Sequence, residues 1–79
     1  MKANRFVCDF LEKNGFEKMA KDKYKNTKCK VIINDSHYEV VFYSEAFLEH
    51  MSFYTDSLNF PNLLGNLIWH ELIDKNFKR

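Results

Sequence analysis

The chain predicts an α+β fold: a small antiparallel sheet of two to four strands, with an N-terminal and a C-terminal helix packed on one face. Three observations carry this. A helical apolar period near the start ends at a glycine. A central hairpin spanning about 28–43 is rich in β-branched and aromatic residues. A second helical period follows an Asn-Phe-Pro opening. All of it fits one domain, 1–79. A chain of 79 residues is too short for a second domain, a P-loop or Rossmann unit, a repeat array or a large multi-substrate enzyme. With 46% hydrophobic and 29% charged residues it reads as a folded globule. Eight Phe, four Tyr and one Trp supply bulky core material. That matters because a chain this short buries only about 60–65% of its unfolded surface.

The first helix is expected over about 4–14. Phe6, Val7, Phe10 and Leu11 share one face, and Asn4 suits an N-cap. Asp9 and Lys13 stand at i, i+4 in the favourable order. Gly15 supplies a left-handed C′ residue, and Phe16 then packs back on Leu11 or Phe10. Residues 17–30 form a basic stretch anchored only by Met19, Ala20 and Tyr24. It is read as an extended segment over Met19–Tyr24 with a turn near Asn26–Thr27. Lys28–Asn34 and His37–Tyr43 pair as a hairpin around the turn Asn34-Asp35-Ser36. Cys29, Val31 and Ile33 on one strand, and Tyr38, Val40 and Phe42 on the other, face the core. The opposite faces carry Ile32, Val41 and Tyr43 among polar residues, so partial cover is expected there.

Residues 44–50 read as a loop or a single helical turn, and Met51–Asp56 as a further strand with Met51 and Phe53 inward. Asn59 caps the second helix, and Pro61 is tolerated in its first turn. That helix is expected to reach about Lys75. Its core stripe is Leu64, Leu67, Ile68 and Leu72, widened by Trp69 and Ile73; Asn62, Asn66, His70 and Asp74 form the polar stripe. Lys75, Lys78 and Arg79 complement the helix dipole. Gly65 costs about 1 kcal/mol inside a helix, which points to close approach of the sheet backbone.

Charge is strongly segregated. Residues 1–30 hold nine Lys/Arg against four Asp/Glu, residues 31–74 hold seven Asp/Glu and no Lys or Arg, and residues 75–79 add three cations, for a net charge of +1. Separate basic and acidic faces are expected, unless the fold mixes them. Cys8 and Cys29 lie in apolar patterns without CxxC or metal spacing, so they read as buried free thiols. No apolar run is long enough for a signal peptide or a membrane span, and a cytoplasmic location is expected. The excess of Lys, Asn, Phe, Tyr and Ile points to an AT-rich genome.

Catalytic patterns are weak. His70-Glu71 followed by Asp74 lacks the second histidine of a zinc helix, and His37 and His50 have no partner fixed by spacing. Two glycines do not make a phosphate-cradling loop. The chain therefore reads as non-enzymatic, with no cofactor and no metal.

Two surfaces remain. In the second half, Glu45, Phe47, Leu48, Glu49, Tyr54 and Asp56 mix acidic and aromatic residues, as a protein-docking patch does. In the first half, Lys18, Lys21, Lys23, Tyr24, Lys25, Lys28 and Lys30 form a ribbon able to follow a phosphate backbone, with Tyr24 or Tyr43 stacking on a base. The same lysines also read as edge protection.

Thr55-Asp56-Ser57-Leu58-Asn59, Leu64-Gly65-Asn66-Leu67 and Asp74-Lys75-Asn76-Phe77-Lys78 resemble the tails of short accessory proteins of phages and prophages from AT-rich bacteria. The resemblance is confined to the last third of the chain, and its motifs are structural: a cap, a packed glycine and a helix end. It implies a mobile-element accessory protein and no stated function. Small phage proteins of this size often act by binding, so binding of a host protein, such as an inhibited defence component, is the expected role. The alternatives are a nucleic-acid-binding accessory protein using the lysine ribbon, and a nucleotide-binding homodimer.

Overall fold

The computed structural model describes residues 2–74, 76 and 77, with side chains from residue 5 onward. In chain order the elements are α1 (Lys2–Lys13), β1 (Glu17–Ala20), β2 (Lys23–Lys25), β3 (Cys29–Ile33), β4 (Tyr38–Ser44), β5 (Glu49–Tyr54) and α2 (Phe60–Trp69). The five strands form an antiparallel meander in the order β1-β2-β3-β4-β5. The α+β class holds, with one strand more than the expected maximum of four.

The extra strand comes from the basic stretch. Lys21-Asp22 turns the chain, with Asp22 at φ 61, so the segment expected as one extended piece is a short hairpin. Asp tolerates the left-handed region better than most residues, because its short side chain can bond locally. The expected Asn26–Thr27 turn is present. The Asn26 side-chain oxygen accepts from the N–H groups of Lys28 and Cys29, each at 2.8 Å.

The register explains the core. Tyr24, Val31, Val40 and Phe53 lie opposite one another across four strands, as do Cys29, Phe42 and Met51 across three. Side chains alternate faces along a strand. All the buried strand residues therefore fall on one face, as expected for Cys29, Val31, Ile33, Tyr38, Val40 and Phe42. Val7, Phe10 and Leu11 of α1 and Leu63 and Leu67 of α2 close that face. Phe60, at the start of α2, meets Phe10 and Phe6 edge-on, with centroids 4.8 and 5.1 Å apart, which locks the two helices together. Phe6 itself is exposed at the rim. No helix covers the opposite face of the sheet among the described residues.

Both helix ends are Schellman motifs. After α1, Gly15 takes φ 88, Phe16 N–H donates to Leu11 C=O at 2.9 Å, and Gly15 N–H donates to Glu12 C=O at 3.4 Å. After α2, Leu72 N–H donates to Leu67 C=O at 2.8 Å and Glu71 N–H to Ile68 C=O at 3.0 Å, with Glu71 at φ 56. The second helix thus stops at Trp69, short of the expected Lys75. Leu72 and Ile73 leave the helix and turn into the core. Asn26 secures this departure, its amide donating to Leu72 C=O at 2.9 Å. Asn59 caps α2 as expected, accepting from Asn62 N–H at 3.1 Å, with Pro61 in the first turn.

Two core expectations change. Leu63 is fully buried, whereas Ile68 and Trp69 are exposed. Gly65 faces open space, so no backbone approaches it and its helical cost is uncompensated. The terminal cations Lys75, Lys78 and Arg79 lie outside the described residues.

Candidate functional site

The most exposed apolar surface gathers at two places, the tip of the β4–β5 hairpin and the end of α2. The hairpin loop 45–48 is closed by Phe47 N–H, which donates to Ser44 Oγ at 3.4 Å. Leu48 sits at φ 54, which strains a residue with a branched side chain. Phe47 and Leu48 are 67% and 76% exposed, and Glu45 and Glu49 flank them, also exposed. Burying a Phe or Leu side chain is worth about 1.5–3 kcal/mol. Here both are left in water, and Leu48 sits on a strained backbone.

Beside this tip runs a groove of about 620 Å³. Glu45 and Ala46 form one wall, His70 and Glu71 at the end of α2 the other, and Phe42 and Leu72 line its depth. His70 lies over Phe53 and Phe42, with ring centroids 5.4 and 4.8 Å away. It is therefore a packing residue rather than the start of a zinc helix. Among the described residues, no three His, Cys, Asp or Glu side chains gather as metal ligands. Trp69, one helical step before His70, is 81% exposed.

The predicted acidic and aromatic residues do not form one patch. Glu45, Phe47, Leu48 and Glu49 come together at the tip. Tyr54 and Asp56 lie at the far end of β5, about 17 Å away for a six-residue strand. There Tyr54 packs edge-on against His37 at 5.5 Å.

The lysine ribbon also divides. Lys25 lies directly opposite Lys30, and Lys23 opposite Ile32, so these three lysines share the uncovered face. Lys18 is opposite Tyr24 and so belongs to the other face, at its edge. Lys21 is in the β1–β2 turn. Lys28 Nζ donates to Glu71 C=O at 3.2 Å, placing a cation at the C-terminal end of α2, where the dipole favours it. Tyr24 cannot stack on a base, because it is only 2% exposed. Its hydroxyl is hydrogen-bonded to Cys8, and that bond together with burial holds it protonated well above the usual tyrosine range. The register with Val31, not the surrounding lysines, decides its place. Basic and acidic residues also mix across the sheet: Glu17 faces Lys25, and only Ile32 separates Lys23 from Glu39 on the uncovered face.

The Cys29 thiol is unreactive in character. Burial pushes Cys29 up to about 12, and Cys8 is half-buried against Tyr24; neither is in a disulfide. Burial likewise raises Tyr38.

Sequence reading missed Trp69 as a surface residue, although the signal was available. Asn62, Asn66 and Trp69 stand at i, i+4 and i+7, so the tryptophan shares the face of two asparagines. No helix among the described residues is long and apolar enough to cross a membrane. Comparison with protein families, with curated proteins and with solved structures finds no match for this chain.

Proposed function

We propose that this chain is a small non-enzymatic accessory protein of phage type that acts by binding a host protein. The tip of the β4–β5 hairpin is its contact, and an inhibited host defence component is the kind of target it fits. The observation that supports this reading most is the pairing of Phe47 and Leu48, both largely exposed, with Glu45 and Glu49 around them and a groove alongside. An apolar centre with a charged rim is how protein interfaces are built. A protruding Phe is the kind of anchor that carries much of the binding energy. The acidic rim selects a basic partner surface and speeds encounter.

The test is affinity capture from nuclease-treated lysate of the bacterial host, run in parallel on variants. A stoichiometric protein should be recovered with the wild-type chain and with Lys23→Ala/Lys25→Ala/Lys30→Ala. It should be lost with Phe47→Ala/Leu48→Ala. Recovery that ignores the hairpin variant sinks the reading.

A second reading rests on one further observation. Lys23, Lys25 and Lys30 share an uncovered sheet face with Tyr43 and Tyr54, which suits single-stranded nucleic acid. Three phosphate contacts give a log–log salt slope of about −2 on single strands. The absence of salt-sensitive binding that depends on these lysines would remove this reading.

A further inference from the structure

The two edges of the sheet are treated differently. The β1 edge has four residues, Glu17, Lys18, Met19 and Ala20, and its register with β2 shifts between Lys18 and Ala20. A short, charged, irregular edge resists pairing with another strand. The β5 edge has six residues, Glu49–Tyr54, in unbroken register with β4, with no lysine, no proline and no bulge.

The direction of its backbone groups follows from one bond. Thr55 N–H donates to Tyr38 C=O at 3.0 Å, one step beyond the pair Glu39–Tyr54. Hydrogen-bonded pairs alternate along an antiparallel ladder. Phe53, Met51 and Glu49 therefore bond to β4, while His50, Ser52 and Tyr54 direct their N–H and C=O groups away from the sheet. Among the described residues, no backbone group bonds them from that side.

We propose that the chain forms a two-fold homodimer in which β5 pairs antiparallel with β5 of a second copy, centred on Ser52. Opposed residues must share a face, and the outward groups must face one another. With Ser52 on the axis, His50 lies opposite the partner's Tyr54, and Met51 opposite the partner's Phe53. Ring then meets ring on the uncovered face, and apolar meets apolar on the helical face. All six outward groups are satisfied, and the five-stranded sheet becomes one of ten strands. The only charge on the edge, Glu49, sits at opposite ends of the pairing in the two copies, so like charges do not meet. His70 over Phe53 places the end of α2 above this edge, and the neighbouring Trp69 is the most exposed large apolar side chain. A second copy brings another helical surface next to it.

Ser52 allows a clean test, because its N–H faces outward and its side chain is exposed. Ser52→Pro removes an outward donor without breaking a bond to β4, which is where an edge strand tolerates proline. Ser52→Lys sets two cations against each other on the axis and leaves the backbone unchanged. Sedimentation equilibrium over a concentration series reads the mass, and circular dichroism checks the fold. The wild-type chain should approach twice the mass of one copy, and each folded variant should fall to the mass of one. A wild-type mass that stays at that of a single copy throughout overturns the proposal, as does a dimer that survives Ser52→Lys. The hairpin contact proposed above is scored separately, since Phe47 and Leu48 lie outside β5.

Discussion

Asn26 is the residue whose loss tests the fold most sharply. Its side chain makes three hydrogen bonds, accepting from Lys28 N–H and Cys29 N–H and donating to Leu72 C=O, 46 residues away. It thereby joins the β2–β3 turn to the segment that leaves α2. In Asn26→Ala, water replaces the exposed bond to Lys28 at little cost. The groups of Cys29 and Leu72 are part-buried, and each orphan costs about 1–1.5 kcal/mol. The expected loss is about 2–3 kcal/mol. A chain of this length has a total stability of about 4–12 kcal/mol, and each kcal/mol moves the melting temperature by about 4–8 °C. The midpoint should therefore fall by about 10–20 °C. Urea denaturation followed by circular dichroism measures the free energy directly. Asn26→Asp keeps the turn bonds but sets a carboxylate against the Leu72 carbonyl, so it too must lose stability. A loss below about 0.5 kcal/mol in the alanine variant, or an aspartate variant as stable as wild type, would refute the tether.

Other consequences are equally direct. Gly65→Ala should stabilise by about 1 kcal/mol, because a Cβ there meets nothing within 4 Å; destabilisation would mean that another group packs closely on Gly65. Trp69→Ala should change stability by no more than about 0.5 kcal/mol, while Leu67→Ala should cost about 2–5 kcal/mol. Equal losses in urea melts would return Trp69 to the core. Stability should also fall as pH rises above 9. Folded Cys29 keeps its proton to about 12, whereas the unfolded thiol loses it near 9.0. The unfolded state then binds fewer protons across that window, and up to about 4 kcal/mol is lost by its upper end. Tyr24 and Tyr38, both raised, add to the loss above pH 10. Urea midpoints from neutral to alkaline pH test this. Cys29→Ala should delay the fall, and an unchanged alkaline profile would contradict it.

What was legible in the sequence was what local chemistry decides. Alternation named every buried residue of β3 and β4, Gly15 marked the end of α1, and Asn59-Phe60-Pro61 marked the start of α2. The β1 strand was hidden because all four of its residues are exposed, and its turn, Lys21-Asp22, contains no Gly, Pro or Asn. The end of α2 was misplaced because Glu71 occupies a left-handed position without glycine. Tertiary contacts hold it there: Leu72 and Ile73 enter the core, and Asn26 and Lys28 bind the carbonyls released. Gly65 signalled a close approach that does not exist.

The candidate site was legible in part for the same reason. Residues 45–49 are contiguous, so their grouping survives folding. Tyr54 and Asp56 are near in sequence but a strand's length away in space. Tyr24 sits among lysines in sequence, yet its register opposite Val31 puts it inside.

The hairpin tip as a protein contact is tested most directly by a photo-crosslinking phenylalanine analogue. It would be placed at Phe47 in one preparation and at Lys25 in another, each irradiated in the bacterial host. The hairpin reading predicts one discrete protein adduct from position 47 and none of comparable yield from position 25. Adducts from position 25 alone, to protein or to nucleic acid, would contradict it and move the binding surface to the uncovered face of the sheet.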